Sequence, residues 1–273
     1  MKYKRLIIIL GSVLGFVVLC TILSFTLFRV HNISLDFQNA TTIFASEQKQ
    51  QEVIKSANIN TRVPIFAISK KRAIANLESR NPSLKVINIE TVFPNKLVVH
   101  CAERERLFYV ENGGVYFVCD QDLKILATYE DISLTQTKPI LLSGVVVANT
   151  GATAGDKLML TAGLDVITNI ATAFAHSNKT ASDVKAMFKS INFKYEQNNF
   201  YTYKTSPMLE FVTFDNFKIV VRNANSFLNT KINLMLNTIP QVAEYYTTHQ
   251  LVIDINPNDV KQVYCVLEEK SAT

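Results

Sequence analysis

The sequence predicts an α+β protein carried on a single membrane-spanning helix, and three observations lead there. Residues 6–28, LIIILGSVLGFVVLCTILSFTLF, hold no charged side chain. Between residues 30 and 105, Val- and Ile-rich strand patterns flank two helical patterns. From 106 to 269 strand patterns dominate, interrupted by two helical stripes. Hydrophobic residues make up 48% of the chain and charged ones 19%, a balance that folds rather than stays disordered.

The 23 uncharged residues form a helix about 35 Å long, enough for a hydrocarbon core of ~30 Å. Lys2, Lys4 and Arg5 precede it and only Arg29 follows closely, so the positive-inside bias puts residues 1–5 in the cytoplasm and 30–273 outside. The run is longer than the apolar region of a cleaved signal, and no small-x-small site follows it. Leu19 before Cys20 argues against a lipid-modified cysteine, which needs a small residue there. The chain thus reads as a short tail (1–5), a span (6–28), a first domain (30–105), a second (106–269) and a C-terminal tail (270–273).

In the first domain VHNISLDF (30–37) alternates as a strand. SEQKQQEVIKSAN (46–58) is helical, with a thin apolar stripe of Val53, Ile54 and Ala57. A second helix starts at Ser69 as N-cap, puts Ile74 and Leu77 on one face and stops at Asn81-Pro82. LKVINIETV (84–92) and KLVVHCA (96–102) are strands joined by Phe93-Pro94-Asn95. The β-α-α-β-β order packs two helices on one face of a three-stranded sheet.

The second domain opens with a hairpin over 107–119, in which Asn112-Gly113 supplies the positive φ of a primed turn. DLKILAT (122–128) and KPILLSG (138–144) follow, then a Gly/Thr-rich loop at 148–156. A helix is predicted from about Lys157 to His176, with Leu160, Leu164, Ile167, Ile170, Ala171 and Phe174 on one stripe. Strands at 191–195 and 200–205 flank Gln197-Asn198-Asn199, and strands at 209–214 and 217–222 flank Asp215-Asn216. A helix over 226–239 carries Leu228, Ile232, Met235, Leu236 and Ile239 and closes at Pro240. Strands at 249–255 and 260–269 bracket Pro257.

Charge and motif exclude several function classes. Residues 30–106 hold 11 Lys/Arg against 7 Asp/Glu, and 107–273 hold 13 against 16, so no stretch has the basic footprint of a nucleic-acid face. His31, His100, His176 and His249 have no His or carboxylate at i+3 or i+4 on a common helix, so no metal site is expected. There is no phosphate-binding glycine loop and no Gly-x-Ser-x-Gly, and His100 and Cys101, as strand neighbours, point to opposite faces. Glu103 and Glu105 share one face and Arg104 and Arg106 the other, and they read as solvated ion pairs rather than a catalytic cluster. Cys20 lies in the span. Cys101, Cys119 and Cys265 sit in apolar strands as reduced, buried thiols, with no essential disulfide. The sequons at Asn32, Asn39 and Asn178 are too short to imply a eukaryotic host.

The arrangement resembles the FtsQ/DivIB family of bacterial cell-division proteins, in which an N-in anchor carries a small POTRA domain. The family's last POTRA hairpin reads r-x-F-P-n-x-L-x-I-x-v-x-E-R, matched here by Thr91, Phe93-Pro94-Asn95, Leu97, Val99 and Glu103-Arg104. The match continues at P-x-L-S-G (Pro139 to Gly144), at the lysine-bearing helix TKINLMLNTI and at the x-I-D-I strand Val252 to Ile255. The resemblance implies a POTRA-type β-α-α-β-β domain, then a larger β-rich domain with two helices. It also implies no catalytic activity, no cofactor, no small-molecule substrate and a scaffold role at the division septum. The partners it implies are FtsB/DivIC-like and FtsL-like bitopic proteins outside the membrane. A membrane-anchored cell-wall enzyme and a POTRA-bearing secretion component are the alternatives.

The resemblance also implies a site. Family members present their final strands as an exposed edge that accepts a partner strand through backbone hydrogen bonds. Here that edge is 260–268, with Lys261, Val263, Cys265 and Leu267 on one face and Gln262, Tyr264 and Val266 on the other. Asp254 joins the set from the x-I-D-I strand. No strand follows Glu269, and Lys261 is a charge that discourages self-pairing. The chain departs from the family in having Asn256-Pro257 where an Arg-Tyr pair is usual, and in lacking tryptophan.

Overall fold

The computed structural model of the chain describes residues 2–39, 41–134, 138–197, 205–256 and 259–270. Two compact units meet in sequence at Arg104/Glu105. In the first, helix α1 (Lys2–Leu27) is long and apolar enough to cross a membrane. Strand β1 (Asn32–Phe37) follows, then α2 (Glu47–Ser56), α3 (Lys70–Arg80), β2 (Leu84–Val92) and β3 (Lys96–Glu103).

Local chemistry sets these boundaries. The Ser46 and Ser69 side chains accept hydrogen bonds from the Lys49 and Arg72 amides, satisfying free donors in the first turns of α2 and α3. At the other end of α3, Asn81 returns its side-chain amide to the Leu77 carbonyl, and Pro82 cannot continue the helix. The sheet runs β1-β3-β2, with β1 parallel and β2 antiparallel to β3. Alternate residues Leu97, Val99 and Cys101 of β3 turn inward to meet Val53, Ala57, Ala73 and Leu77 from the helices.

The second unit builds one nine-stranded sheet from β4 (Phe108–Asn112), β5 (Val115–Cys119), β6 (Ile125–Tyr129), β7 (Ile140–Ser143), β8 (Phe188–Gln197), β9 (Thr205–Thr213), β10 (Lys218–Val221), β11 (His249–Asn256) and β12 (Asp259–Glu269). Their spatial order is β12-β11-β10-β9-β8-β7-β4-β5-β6. Helices α4 (Leu164–His176), α5 (Ala181–Met187) and α6 (Leu228–Thr238) complete the unit. Its core is rich in phenylalanine: the Phe188 and Phe211 rings lie 5.2 Å apart, and Phe174 meets both.

Three expectations need correction. The first hairpin turns on Gly113-Gly114, both at positive φ, because Asn112 still pairs with Val115. The helix expected from Lys157 begins at Leu164. Lys157 and Leu160 instead make bridges to Lys124 and Val147, and Gly163 sits at φ 76°. A Cβ on Gly163 would come within 2.5 Å of the Phe193 ring, so only glycine fits there. The strand expected at 200–205 lies, but for Thr205, outside the described residues; where the chain is described, β8 pairs with β9, Gln197 opposite Thr205. Finally, the second domain has a third helix, α5, opened by a Thr180/Asp183 capping box.

Candidate functional site

The charged end at Glu103–Arg106 is not a set of solvated ion pairs. The Glu103 carboxylate accepts from the Thr42 and Ile43 amides at 2.8 and 3.0 Å and from the Thr42 hydroxyl at 2.8 Å. Arg104 is largely buried, pairs with Glu78 at 3.3 Å and donates from Nε to the Leu84 carbonyl. Arg106 donates to the Tyr129 hydroxyl. Charge-assisted bonds of this kind are structural, and here they pin the end of β3 to the loop after β1 and to α3.

On the open face of the same sheet, His100 bridges two neighbouring strands. Its Nδ1 lies 2.8 Å from Asp36 of β1 and its Nε2 3.0 Å from Glu90 of β2. Hydrogen bonds that the ring donates to Glu90, then Asp36, raise its pKa above the ordinary value. Sequence spacing could not show this triad, because the carboxylates come from 64 and 10 residues away. Both ring nitrogens are occupied, and no metal-binding cluster is found among the described residues. The four cysteines are unbridged, and burial pushes the Cys101 thiol up to about 12.

In the second unit, β12 is the terminal strand of the large sheet. It pairs with β11 continuously from His249↔Glu269 to Ile255↔Val263, then shifts register to Asn256↔Asp259. Lys261 falls in the shifted part, where its amide is taken by the Asp259 side chain. A bulge of this kind blunts one end of an edge, which leaves 263–269 as its regular portion.

The two faces of β12 are unlike. Val263, Cys265 and Leu267 pack against the unit's own core, and Cys265 Sγ lies 3.7 Å from the Thr238 hydroxyl of α6. Those three side chains are spoken for. Tyr264 and Val266 lie on the other face, and Val266 is 41% exposed. Partial burial raises the Tyr264 pKa, with Asp254 adding to the effect.

Behind this edge stands a buried cation. Lys231 is fully buried, and its Nζ donates to the carbonyls of Arg222 and Asn223 at 2.6 and 2.8 Å. Burial pushes its pKa down to about 8 against the opposing pull of Asp254. Asn223, at φ 48°, donates to Asp254 at 2.7 Å, and the Ile255 amide donates to the same oxygen. Asp254 therefore fixes the link between β10 and β11 and lies opposite Tyr264 in register. Arg222 adds ion pairs to Glu196 of β8 at 3.2 Å and Glu268 of β12 at 3.9 Å. Lys231 could have been found from sequence. It interrupts the apolar stripe of α6 between Leu228 and Met235, a position that demands a buried partner.

A family pattern described as a POTRA domain of FtsQ type matches residues 46–104. The chain is 37% identical over 83 residues to a cell division protein DivIB of Clostridium botulinum (strain Hall) and 30% identical over 84 residues to that of Clostridium tetani. These alignments cover 30% and 31% of this chain, and the chain spans about a third of its relatives' length, 32% and 31%. A solved structure of the major extracytoplasmic domain of DivIB from Geobacillus stearothermophilus aligns at 15% identity and a TM-score of 0.26, covering 50% of this chain and 97% of that one.

Proposed function

We propose that this chain is a member of the FtsQ/DivIB family of cell-division proteins and a non-catalytic scaffold of the divisome, anchored by α1 and working outside the membrane at the septum. On this reading residues 30–105 are the POTRA domain and 106–269 the partner-binding β domain. FtsB/DivIC-like and FtsL-like proteins are its partners. The observation that carries the binding mode is β12, the terminal strand of the nine-stranded sheet, with a regular stretch from Val263 to Glu269.

A partner segment adds there as a tenth strand. Backbone hydrogen bonds supply affinity, and Tyr264 and Val266 supply side-chain contacts on the face turned away from α6. Lys231 and Asp254 act at one remove, holding β10 and β11 so that β12 keeps its register. The test is capture of the partner's extracytoplasmic segment by Val263→Pro and Tyr264→Pro variants, with circular dichroism as a check on folding. Successive amides of an edge strand point alternately inward and outward, so one of the two prolines removes an outward donor. That variant should stay folded and lose capture. Tyr264→Ala should weaken capture by about 1–2 kcal/mol. Normal binding by two folded proline variants sinks the edge-strand mode.

A further inference from the structure

Three segments of the first unit converge at the point where the chain leaves α1. The Ile65 amide donates to the Phe28 carbonyl at 2.7 Å, and Arg29 Nε to the Thr61 carbonyl at 3.0 Å. The His31 amide donates to the Asn95 carbonyl at 3.0 Å. The 3-10 turn Ile65–Ala67 and the β2–β3 turn are thereby tied to the residues that immediately follow the helix. Their aromatic side chains meet there. The Phe28 ring lies 6.1 Å from Phe66 and 6.1 Å from Phe93, both edge-on.

Packing against Phe28 does not cover them. Phe66 is 62% exposed, Phe93 66%, and Val92 beside it 39%. An apolar cluster of this kind on a soluble surface calls for an occupant. Position identifies it: Phe28 is the first residue beyond α1, so an anchored α1 holds all three rings at the level where hydrocarbon gives way to headgroups. Charge agrees with position. Residues 28–32, 61–67 and 92–96 carry Arg29, Arg62 and Lys96 and no Asp or Glu, as suits a surface resting among lipid phosphates.

We propose that Phe66 and Phe93, with Phe28, are a membrane seat: the two turns rest on the leaflet that α1 leaves, rings inserted into its acyl–headgroup boundary and cations against the phosphates. The seat rests on the reading of α1 as an anchor. It makes the first domain a rigid continuation of the span rather than a body swinging on a tether, and it sets the height of β2 and β3 above the bilayer.

The chain contains no tryptophan, so a single introduced one reports its own surroundings. The full chain is reconstituted in phosphatidylcholine/phosphatidylglycerol vesicles, and lipids brominated at shallow or deep acyl positions serve as quenchers. The variants are Phe66→Trp, Phe93→Trp, Phe16→Trp within α1 and Ile87→Trp. Ile87 is 47% exposed on β2, ~20 Å along the strand from Phe93. Phe66→Trp and Phe93→Trp should emit to the blue and lose about half their intensity to shallow bromines, as for rings ~5–10 Å into the boundary. Phe16→Trp should answer to deep bromines and Ile87→Trp to neither. If Phe16→Trp is quenched while positions 66 and 93 behave like 87, the seat is wrong and the anchor stands. If Phe16→Trp is not quenched, the anchor reading fails first and the seat with it. Quenching at all four positions means the whole domain lies against lipid and overturns a seat confined to the two turns.

Discussion

The two units hold a sheet under helices with opposite placements of charge. In the first unit the charged anchors lie around the sheet: Glu103 grips a loop at its end, Arg104 reaches Glu78 on α3, and His100 straps three strands across the open face. In the second, Lys231 sits on the buried face of α6 at zero exposure and holds two backbone carbonyls. Size explains the difference. The small core leans on side chains such as Val53, Ala57, Ala73 and Leu77, and a small domain buries a low fraction of its surface, so hydrogen bonds around its edge matter. The larger unit has a phenylalanine-rich interior able to offset one buried ammonium, whose cost is large unless its donors are satisfied.

The largest effect expected from this contrast is in that interior. Phe211 is fully buried between Phe174 and Phe188. Phe211→Ala should destabilise the second unit by about 3–5 kcal/mol, the range for a truncated core aromatic. Denaturant unfolding should show the later-sequence unit melting earlier while the POTRA transition stays where it was. A single transition that moves as a whole would mean that the two units are one cooperative body, and the comparison would lose its basis.

A smaller effect is expected at Lys231. Lys231→Met keeps the volume and removes the donor to the Arg222 and Asn223 carbonyls; the Asn223 carbonyl still accepts from the Ser226 amide, so the cost is about 2 kcal/mol, chiefly for the lost charge-assisted bond to the Arg222 carbonyl. The pH dependence sharpens the test. The folded pKa is about 8, below the ordinary 10.5, so between those values the unfolded chain binds more protons than the folded one. Stability of the second unit should therefore rise as pH climbs from 8 toward 10.5, and this rise should vanish in Lys231→Met. A variant that keeps the rise would assign it to another group.

Much of the architecture was legible because local rules decided it. The Ser69 cap, the Asn81-Pro82 stop, the Phe93-Pro94-Asn95 turn and the α6 stripe each follow from a few adjacent residues. What failed depended on distant partners. Leu160 fits the apolar period of α4 yet bridges Val147, because Gly163 at positive φ under the Phe193 ring ends the extended run. The Thr180-x-x-Asp183 box was a readable start for α5, masked by the short length of that helix. At the edge, alternation separated the two faces of β12 but could not say that Val263, Cys265 and Leu267 are occupied by the core packed around α6. Glu103 and Arg104 looked solvated because their partners, Thr42, Ile43 and Glu78, lie 61, 60 and 26 residues away.

The mildest perturbation tests the other half of the comparison, the surface strap at His100. Its folded pKa is raised above 6.5 by Glu90 and Asp36, so the imidazolium is favoured in the folded chain. The sign follows directly. Below pH 6.5 the ring is charged in both states and the interaction contributes fully; as pH rises through the raised folded value the proton is lost and the contribution fades. His100→Gln keeps a polar side chain on the open face without the titrating charge. Its first-unit transition should fall below the parent's at about pH 5.5 and approach it at about pH 8.5, where a neutral histidine is also only a polar side chain. The same variant should leave the second unit's transition unmoved at either pH, because Asp36 and Glu90 both belong to the first sheet. An equal deficit at the two pH values would reduce the strap to uncharged packing. It would also leave Glu103 and Arg104 as the charges that distinguish how the small unit is held.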